Sequence, residues 1–214
     1  MIENIRTQII KALEWRFAAK VFDSTRKVSD EDMRTILESA RLSPSSNGFE
    51  PWHFIVVNDP VVRAKLREAG YDQPKITEAS HLVVIAHKTN PELLVQERLE
   101  RTARIQNQKT EELESYKMYL KTSIDKKVAE GTFDAWAKAQ TYIIIGTMIL
   151  TASLLRVDNG PMEGFDPEKF DQILGLKEKN LKSVTMIAFG YRGDDPLQKK
   201  PKIRREFDEV VEFI

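Results

Sequence analysis

The chain has 214 residues, 41% of them hydrophobic and 31% charged, a composition typical of a folded globular protein rather than a disordered one. Its 33 basic and 33 acidic side chains give a formal net charge of zero, so no overall charge attracts nucleic acid or anionic lipid. The lack of cysteine excludes disulfides, thiolate metal sites and a cysteine nucleophile. The length predicts a single domain over residues 1–214.

The first residues, from Met1 to Arg6, lack the basic-then-apolar pattern of a signal peptide. The most apolar segment, 142–155, is interrupted by Gly146 and Thr147 and falls short of the ~18 apolar residues that a membrane span needs. We therefore expect a cytoplasmic protein without a membrane partner.

Two helices are predicted near the start of the chain. Apolar residues recur there every four positions, at Ile5, Ile9, Leu13 and Phe17. This spacing predicts an amphipathic helix that ends near Arg16. A second helix is predicted from Ser29, a good N-cap followed by three acidic residues, to about Leu42.

The next predicted elements are a loop, two strands and a helix. The sequence Pro-Ser-Ser-Asn-Gly at 44–48 predicts a loop, and the β-branched and aromatic run at 53–57 predicts a strand. The dipeptide Asp59-Pro60 is typical of a helix start. The run 81–87, with Leu-Val-Val-Ile-Ala at its centre, predicts a strand buried on both faces.

Helices dominate the second half of the chain. Residues 91–131 are rich in Glu, Lys, Arg and Gln and predict a charged excursion of one or two solvated helices. A long helix is predicted over 133–155, and its apolar latter half is expected in a core or a subunit interface. The tripeptide 159–161 is interpreted as the break after this helix. A short helix from Asp166-Pro167 and a strand at 183–191 complete an α+β order with three or four strands.

Several common motifs are missing. No Gly-x-Gly-x-x-Gly follows a strand and no Walker sequence is present, so any nucleotide must be held in another way. The histidines His53, His81 and His87 lie at or within predicted strands without an acidic companion at ligand spacing, and we interpret them as packed residues rather than metal ligands. No Ser/His/Asp set is identifiable, and nothing supports a hydrolase.

Four separated segments, 16–23, 44–52, 160–166 and 199–205, are candidates for a functional site. Each alone has an ordinary explanation, as a solvated helix end, a turn, a loop before a helix, or an exposed charge cluster. The basic segment 199–205 taken alone is also compatible with a nucleic-acid patch. Their combination is more informative than any one of them.

Together the four segments resemble the nitroreductase family of flavoenzymes. The resemblance follows nearly the whole chain in order and is strongest in P-S-S-x-x-x-x-P-W-H-F from Pro44, A-S-H-L-V-V at 79–84 and P-M-E-G-F-D from Pro161. It implies a small, mainly antiparallel sheet surrounded by helices, in an intertwined homodimer. It also implies FMN as the cofactor and NADH or NADPH as the electron donor.

The resemblance places three cations, Arg16, Lys202 and Arg204, at the phosphate of FMN. A planar guanidinium suits this role because it binds phosphate oxygens through two donors at once. The cations come from opposite ends of the chain, so phosphate binding would depend on the completed fold. Phe17 and Ala18 belong to the same cofactor-binding segment, although the family often has His or Ser near the phosphate.

Other matched positions are implied along the flavin. Lys20 and Lys75 match lysines beside the ribityl chain and the pyrimidine, where positive charge would stabilise the reduced flavin. Gln73, or the adjacent Asp72, is implied at the pyrimidine edge, although a carboxylate cannot donate a hydrogen bond there. The backbone beside flavin N5 would come from Pro161, Met162, Glu163 and Gly164. No catalytic side chain is implied.

The dimer is implied to complete the site. The loop residues Pro44, Ser45, Ser46 and Gly48 would reach the flavin bound mainly by the other subunit. The apolar helix at 142–155 and the tail at 210–214 are then expected at the subunit interface. The candidate walls for the second substrate are Phe49, Tyr116 and Tyr119, for which helix packing is the alternative interpretation.

The implied reaction is a ping-pong hydride transfer from NAD(P)H, through flavin N5, to planar electrophiles such as nitroaromatics or quinones. Two alternatives stay open: a flavin or pteridine reductase on the same scaffold, and a non-catalytic flavin-binding protein. A nucleic-acid module rests on the segment 199–205 alone. The sequence does not distinguish NADH from NADPH, nor does it name the physiological acceptor.

Overall fold

The computed structural model describes residues 4–214, and within them the strands form a four-stranded sheet in the order β1-β2-β4-β3. The strands are β1 (Trp52–Val57), β2 (His81–Lys88), β3 (Asp158–Met162) and β4 (Leu181–Gly190). Every neighbouring pair is antiparallel. The predicted α+β fold with a small antiparallel sheet is therefore confirmed.

Helices cover both faces of this sheet. They are α1 (Ile5–Trp15), α2 (Asp30–Arg41), α3 (Pro60–Ala69), α4 (Lys75–Glu78), α5 (Pro91–Gln106), α6 (Glu114–Ala129), α7 (Phe133–Leu154) and α8 (Pro167–Leu174). Among residues 4–214 none of the helices is both long enough and apolar enough to cross a membrane.

The predicted helix starts are confirmed by side-chain caps. The Ser29 hydroxyl accepts a hydrogen bond from the amide of Asp32 at the start of α2. The Asp59 carboxylate accepts from two amides at the start of α3, and the Asp166 carboxylate accepts from the amide of Lys169 in α8. Such caps satisfy backbone donors that the first helical turn leaves unpaired, and they depend on local sequence alone.

Strand β2 lies at the centre of two apolar cores. Leu82 and Val84 pack against α3, α4 and α8 on one face of the sheet. Val83 and Ile85 pack against α2 and α7 on the other face. All four side chains are fully buried, which confirms the prediction of a strand covered on both sides.

The structure of residues 158–162 differs from the interpretation of 159–161 as the break after the long helix. The tripeptide 159–161 does not break the long helix, because α7 ends at Leu154 and the chain turns at Arg156, whose φ is 58°. The segment instead forms β3, which lies at the edge of the sheet and pairs with β4. Pro161 has no N–H to donate, and a strand with one neighbour tolerates that loss. The segment 160–164, which the resemblance places beside the flavin ring, therefore begins in a strand at the edge of the sheet.

Residues 91–131 form two helices, α5 and α6, that pack against each other. They share a separate apolar cluster, whose buried members are Phe49, Leu94, Val95, Leu120, Ile124 and Phe133. Many charged side chains of the two helices are exposed. The inner faces bind the loop that follows α2.

Candidate functional site

The segment that follows α1 lies alongside the edge strand β3. Ala18 forms an isolated parallel bridge with Asn159, and the amide of Ala19 donates to the carbonyl of Asn159 at 3.2 Å. Because the two segments run in the same direction, Arg16 lies toward the start of β3 and Lys20 toward its end. This pairing sets the spacing between the two predicted cofactor cations.

Asp195 anchors the end of this segment. Its Oδ2 accepts from the amides of Lys20 at 2.9 Å and Val21 at 3.3 Å, and the residue is 1% exposed. Burial opposes ionisation, but the amide donors of Lys20, Leu197 and Val21 outweigh it and lower the pKa of Asp195. Asp195 therefore stays a charged anchor at neutral pH. No sequence motif pointed to this residue.

The three predicted phosphate cations come together from opposite ends of the chain. The Nζ of Lys202 donates to the carbonyls of Leu13, at 2.8 Å, and Glu14 in the last turn of α1. Burial, and then the neighbouring Arg204, lower the pKa of Arg16. Burial, and then Arg16 and Arg204, lower the pKa of Lys202. We call Arg16, Lys202 and Arg204 the cation cluster.

The cation cluster has unused capacity for an anion. The Nε of Arg16 is buried and has no hydrogen-bond partner. Across residues 4–214, no carboxylate forms an ion pair with any of the three cations. A buried donor left unpaired costs about 1–3 kcal/mol, and mutual repulsion adds to that cost. A dianionic phosphate, with several acceptor oxygens, fits this donor set.

Contact with Arg192 explains why position 17 holds an aromatic residue. Its guanidinium carbon lies 4.3 Å from the ring centroid of Trp15 and 4.5 Å from that of Phe17. Its Nε donates to the buried carboxylate of Asp158 at 2.7 Å. Phe17 is thus held as a cation–π partner and supplies no polar contact. Sequence reasoning missed Arg192 because it lies outside the recognised segments.

Two lysines approach the other end of β3. Lys75, at the start of α4, is 9% exposed, and its Nζ lies 3.7 Å from where a Cβ on Gly160 would be. The same Cβ would be 2.7 Å from the carbonyl oxygen of Ala19, so this close approach requires glycine. Burial, and then the neighbouring Lys20, lower the pKa of Lys75.

Gln73 and Asp72 have different partners. The Nε2 of Gln73 donates to the carbonyls of Gly164 at 2.7 Å and Gly70 at 3.0 Å. The carboxylate of Asp72 instead accepts from the Nε of Arg67 at 2.6 Å. Of the two candidates for the pyrimidine edge, Gln73 is the one that lies against the segment after β3.

Glu163 follows β3 directly and contacts the long helix. The hydroxyl of Tyr142, on α7, donates to Oε1 of Glu163. Burial, followed by this hydrogen bond, raises the pKa of Tyr142 to about 12. At neutral pH the phenol therefore keeps its proton and acts as a donor. Tyr142 was not among the sequence candidates because a single tyrosine in an apolar helix carries no motif.

The loop 44–48 is held away from these residues within one chain. The amide of Ser46 donates to Oε1 of Gln140 on α7 at 2.9 Å. The hydroxyl of Ser45 accepts from the amide of Glu50 at 2.8 Å, and the carbonyl of Gly48 accepts from Arg101 at 3.2 Å. None of the hydrogen bonds described for this loop reaches the cation cluster of the same chain.

Of the two interpretations of Phe49, a substrate wall and helix packing, the contacts of its ring favour packing. Phe49 is 1% exposed and packs edge-on against Trp136, with ring centroids 5.7 Å apart. The half-buried Tyr116 accepts a hydrogen bond from Arg98 at 3.1 Å. Tyr119 is exposed, and its hydroxyl donates to Asn47 of the loop at 3.0 Å. Phe49 therefore joins the loop to the core of the α5–α6 pair.

Replacing Phe49 with alanine should lower the free energy of unfolding by about 3–5 kcal/mol, because the change removes a fully buried ring. Phe49→Leu should lose less than half of that amount. Urea unfolding followed by circular dichroism would measure both, with the exposed Tyr119→Phe as the control. Unchanged stability together with an altered KM for the electron acceptor would show that Phe49 is a pocket wall after all.

The rings of His81 and His87 lie within hydrogen-bond distance of polar protein groups. Nδ1 of His81 lies 3.0 Å from the Ser80 hydroxyl, and Nδ1 of His87 lies 3.0 Å from the carbonyl of Lys88. Burial is the main cause that lowers the pKa values of His53 and His81. Among residues 4–214, no group of His, Asp and Glu side chains is placed to hold a metal ion.

The α+β fold places the half-buried Arg16, whose Nε has no partner, and the exposed Lys202 and Arg204 beside an edge strand, and such a group of cations suits a phosphorylated ligand. Comparison with known proteins identifies the class. Residues 13–191 match the Nitroreductase family, so the chain belongs to the nitroreductase family of oxidoreductases.

Similar proteins support this assignment. A Staphylococcus epidermidis protein named as an NAD(P)H nitroreductase is 37% identical over 221 residues, and the match covers 100% of each chain. The crystal structure of the Bacillus subtilis nitroreductase ydfN has a TM-score of 0.84 at 20% identity, covering 98% of this chain and 100% of that one. A nitroreductase from Exiguobacterium sibiricum, in complex with FMN, has a TM-score of 0.78 at 19% identity, covering 100% and 99%.

Proposed function

We propose that this protein is an FMN-dependent oxidoreductase that takes electrons from NADH or NADPH and delivers them to nitroaromatics, quinones or similar planar electrophiles. The observation that carries the proposal is the cation cluster, in which the buried Nε of Arg16 has no partner and none of the three cations forms an ion pair with a carboxylate among residues 4–214. The relatives named as NAD(P)H nitroreductases and the FMN-bound neighbour support the choice of ligand.

The chain offers each part of FMN a suitable partner. The cation cluster would bind the phosphate, and Lys20 with Lys75 would lie beside the ribityl chain and the pyrimidine. The segment 160–164, beside which Lys75 and Gln73 are placed, would support the ring. The distance from phosphate to ring would be set by the pairing of residues 16–20 with β3.

When bound, FMN would supply the redox chemistry, the transfer of a hydride from NAD(P)H to the second substrate. The residues of the chain have the simpler tasks of binding and charge placement. Lys75 is buried next to Lys20, and positive charge at the pyrimidine stabilises negative charge that develops there. No side-chain acid or base is required at this stage.

A homodimer is part of the proposal. Exposed apolar side chains lie on α7, at Ile143 and Leu154, and on the tail, at Phe213 and Ile214. Exposed apolar surface of this kind is typical of a subunit interface. In the dimer the loop 44–48, which reaches no cofactor cation of its own chain, would reach the flavin of the partner.

The visible spectrum of the purified protein, with the released flavin identified by mass, tests the proposal. We expect FMN, and oxidation of NADH or NADPH that is stimulated by a quinone such as menadione. Stimulation by free flavin but not by menadione would favour a flavin reductase, and tight FMN without turnover would favour a binding protein. A colourless protein that does not take up added FMN would refute the proposal.

The affinity for FMN should fall at alkaline pH. Burial and the neighbouring arginines lower the pKa of Lys202 below the ordinary lysine value, which is about 10.4. The phosphate needs the protonated amine, so its contribution is complete below that lowered pKa and is lost as the pH rises through it. Titrations of apoprotein with FMN between about pH 7 and 10 would measure the loss.

Lys202→Arg is the matched variant for this experiment, because a guanidinium keeps its charge throughout the range. The variant should hold its FMN affinity to higher pH than the wild-type protein does. Superimposable pH profiles for the two proteins would show that Lys202 does not bind the phosphate.

A further inference from the structure

The segment after β3 is held from two sides. On one side, the amide of Gln73 donates to the carbonyl of Gly164 at 2.7 Å. On the other side, the Tyr142 hydroxyl donates to the carboxylate of Glu163. The first contact fixes the backbone, but the second fixes a negative charge. The proposed function uses the backbone here and leaves the Tyr142–Glu163 pair unexplained.

The charge of Glu163 matters because of the lysines proposed to lie beside the flavin. Lys20 and Lys75 are neighbours there, and a carboxylate free to approach them would weaken their effect. Behind Glu163 is a cavity of about 320 Å³, which Lys138 and Lys182 also line, together with His87 and Asp134. Without a fixed partner, the flexible Glu163 side chain would sample several positions between these groups.

Tyr142 restricts the positions that the Glu163 side chain can take. It lies one helical turn beyond Lys138 on α7, and its hydroxyl, which keeps its proton, takes up one oxygen of the carboxylate. A hydrogen bond to an ionised acceptor is among the stronger ones in proteins, and it spreads the negative charge over donor and acceptor. The contact thus determines both where the charge of Glu163 lies and how strongly it acts.

We propose that Tyr142 is a positioning residue that tunes the bound flavin, because it holds the carboxylate of Glu163 on the α7 side of the site and moderates its charge. The inference rests on the proposed function. With the carboxylate held in this way, the positive charge of the two lysines dominates at the ring, and the reduced, more negative form of FMN binds more tightly than it otherwise would.

The test compares the affinities of the apoprotein for oxidised FMN and, under anaerobic conditions, for reduced FMN. In Tyr142→Phe the ratio should shift against reduced FMN by about threefold to tenfold, which is about 15–30 mV for a two-electron couple. In Glu163→Gln, which removes the charge, the ratio should shift in favour of reduced FMN. The double variant should match Glu163→Gln alone, since Tyr142 then has no charge to hold.

A merely structural role would weaken both affinities alike and leave their ratio unchanged. Tyr191 directly follows Gly190, the last residue of β4, and Arg26 lies over its ring. Tyr191→Phe, which removes only a phenolic hydroxyl, is the matched control and should leave the ratio at the wild-type value. If Tyr142→Phe fails to fold, the opposite shift in Glu163→Gln still tests the charge of Glu163.

Two failures are distinguishable. A wild-type protein that binds neither form of FMN would refute the proposed function itself. If the wild-type protein binds both forms, two results would overturn this inference alone. One is an unchanged affinity ratio in Tyr142→Phe. The other is an effect of Tyr142→Phe on the ratio that is equally large with Glu163 and with Gln at position 163.

Discussion

Replacing Arg16 and Arg204 together with alanine should give a folded protein that purifies without FMN. A hydrogen bond between charged partners contributes about 1.5–3 kcal/mol, so each single replacement should weaken FMN binding by about tenfold to a hundredfold. The double replacement should weaken it by more than either single one. Flavin absorbance per mole of protein, and titration of the apoproteins, would measure these losses.

The stability of the apoprotein offers a second readout. The structure leaves the Nε of Arg16 buried and unpaired, and Arg204 lies close enough to lower the pKa of Arg16. Removing these charges relieves a repulsion, so the variants without FMN should unfold at a temperature no lower than the wild-type apoprotein does. Added FMN should raise the unfolding temperature of the wild-type protein by mass action but not that of the double variant.

The matched control is Arg205→Ala, which removes the neighbouring cation that is exposed and has no described role in the cluster. It should keep full FMN occupancy, because loss of one surface charge changes the general attraction of an anion only slightly. Full occupancy in the Arg16→Ala/Arg204→Ala variant would show that the phosphate lies elsewhere.

Local signals predicted most of the fold. The caps at Ser29 and Asp59 and the apolar run of β2 act within a few residues, so the sequence alone determines them. The strand β3 was missed because Asn-Gly-Pro is typical of a turn, and what makes it a strand is a distant partner, β4. An edge position tolerates the proline, and no local pattern reveals that a segment will lie at an edge.

The site residues also divide into those that the sequence predicted and those that depend on distant contacts. The cations at 16, 202 and 204 were inferred from the family resemblance, and the fold brings them together. Arg192 and Asp195 were missed, because their importance comes from contacts with Phe17 and with the amide of Lys20, far away in sequence. The sequence left Phe49 open between a substrate wall and helix packing because it adjoins the candidate loop, and its ring packs into a core.

Ile143→Lys should convert the proposed homodimer to a monomer and weaken FMN binding in the same variant. The reason begins with the shape of α7. One side of this helix is buried against the sheet, yet Ile143 is 41% exposed and Leu154, three turns further along, is 39% exposed. Between them, Gly146 has open space where a Cβ would be, so another helix can approach closely there.

A lysine at position 143 would place a charge in the middle of this apolar surface, where a buried and unpaired charge costs several kcal/mol. Sedimentation or light scattering would measure the shift from dimer to monomer. Val61→Lys is the control, because Val61 is 63% exposed on α3, which packs on the opposite face of the sheet. That variant should stay dimeric.

The loss of FMN follows from where the loop 44–48 lies. Within one chain its contacts are with Gln140 and with the α5–α6 pair, so it adds nothing to the cation cluster of the same chain. If the partner supplies this loop, FMN occupancy must depend on protein concentration in the way that dimerisation does. The wild-type protein should therefore lose FMN on dilution below its dimer dissociation constant, and Ile143→Lys should show the weak affinity at every concentration. A monomeric Ile143→Lys that binds FMN as tightly as the wild-type dimer would mean that each chain holds its flavin alone.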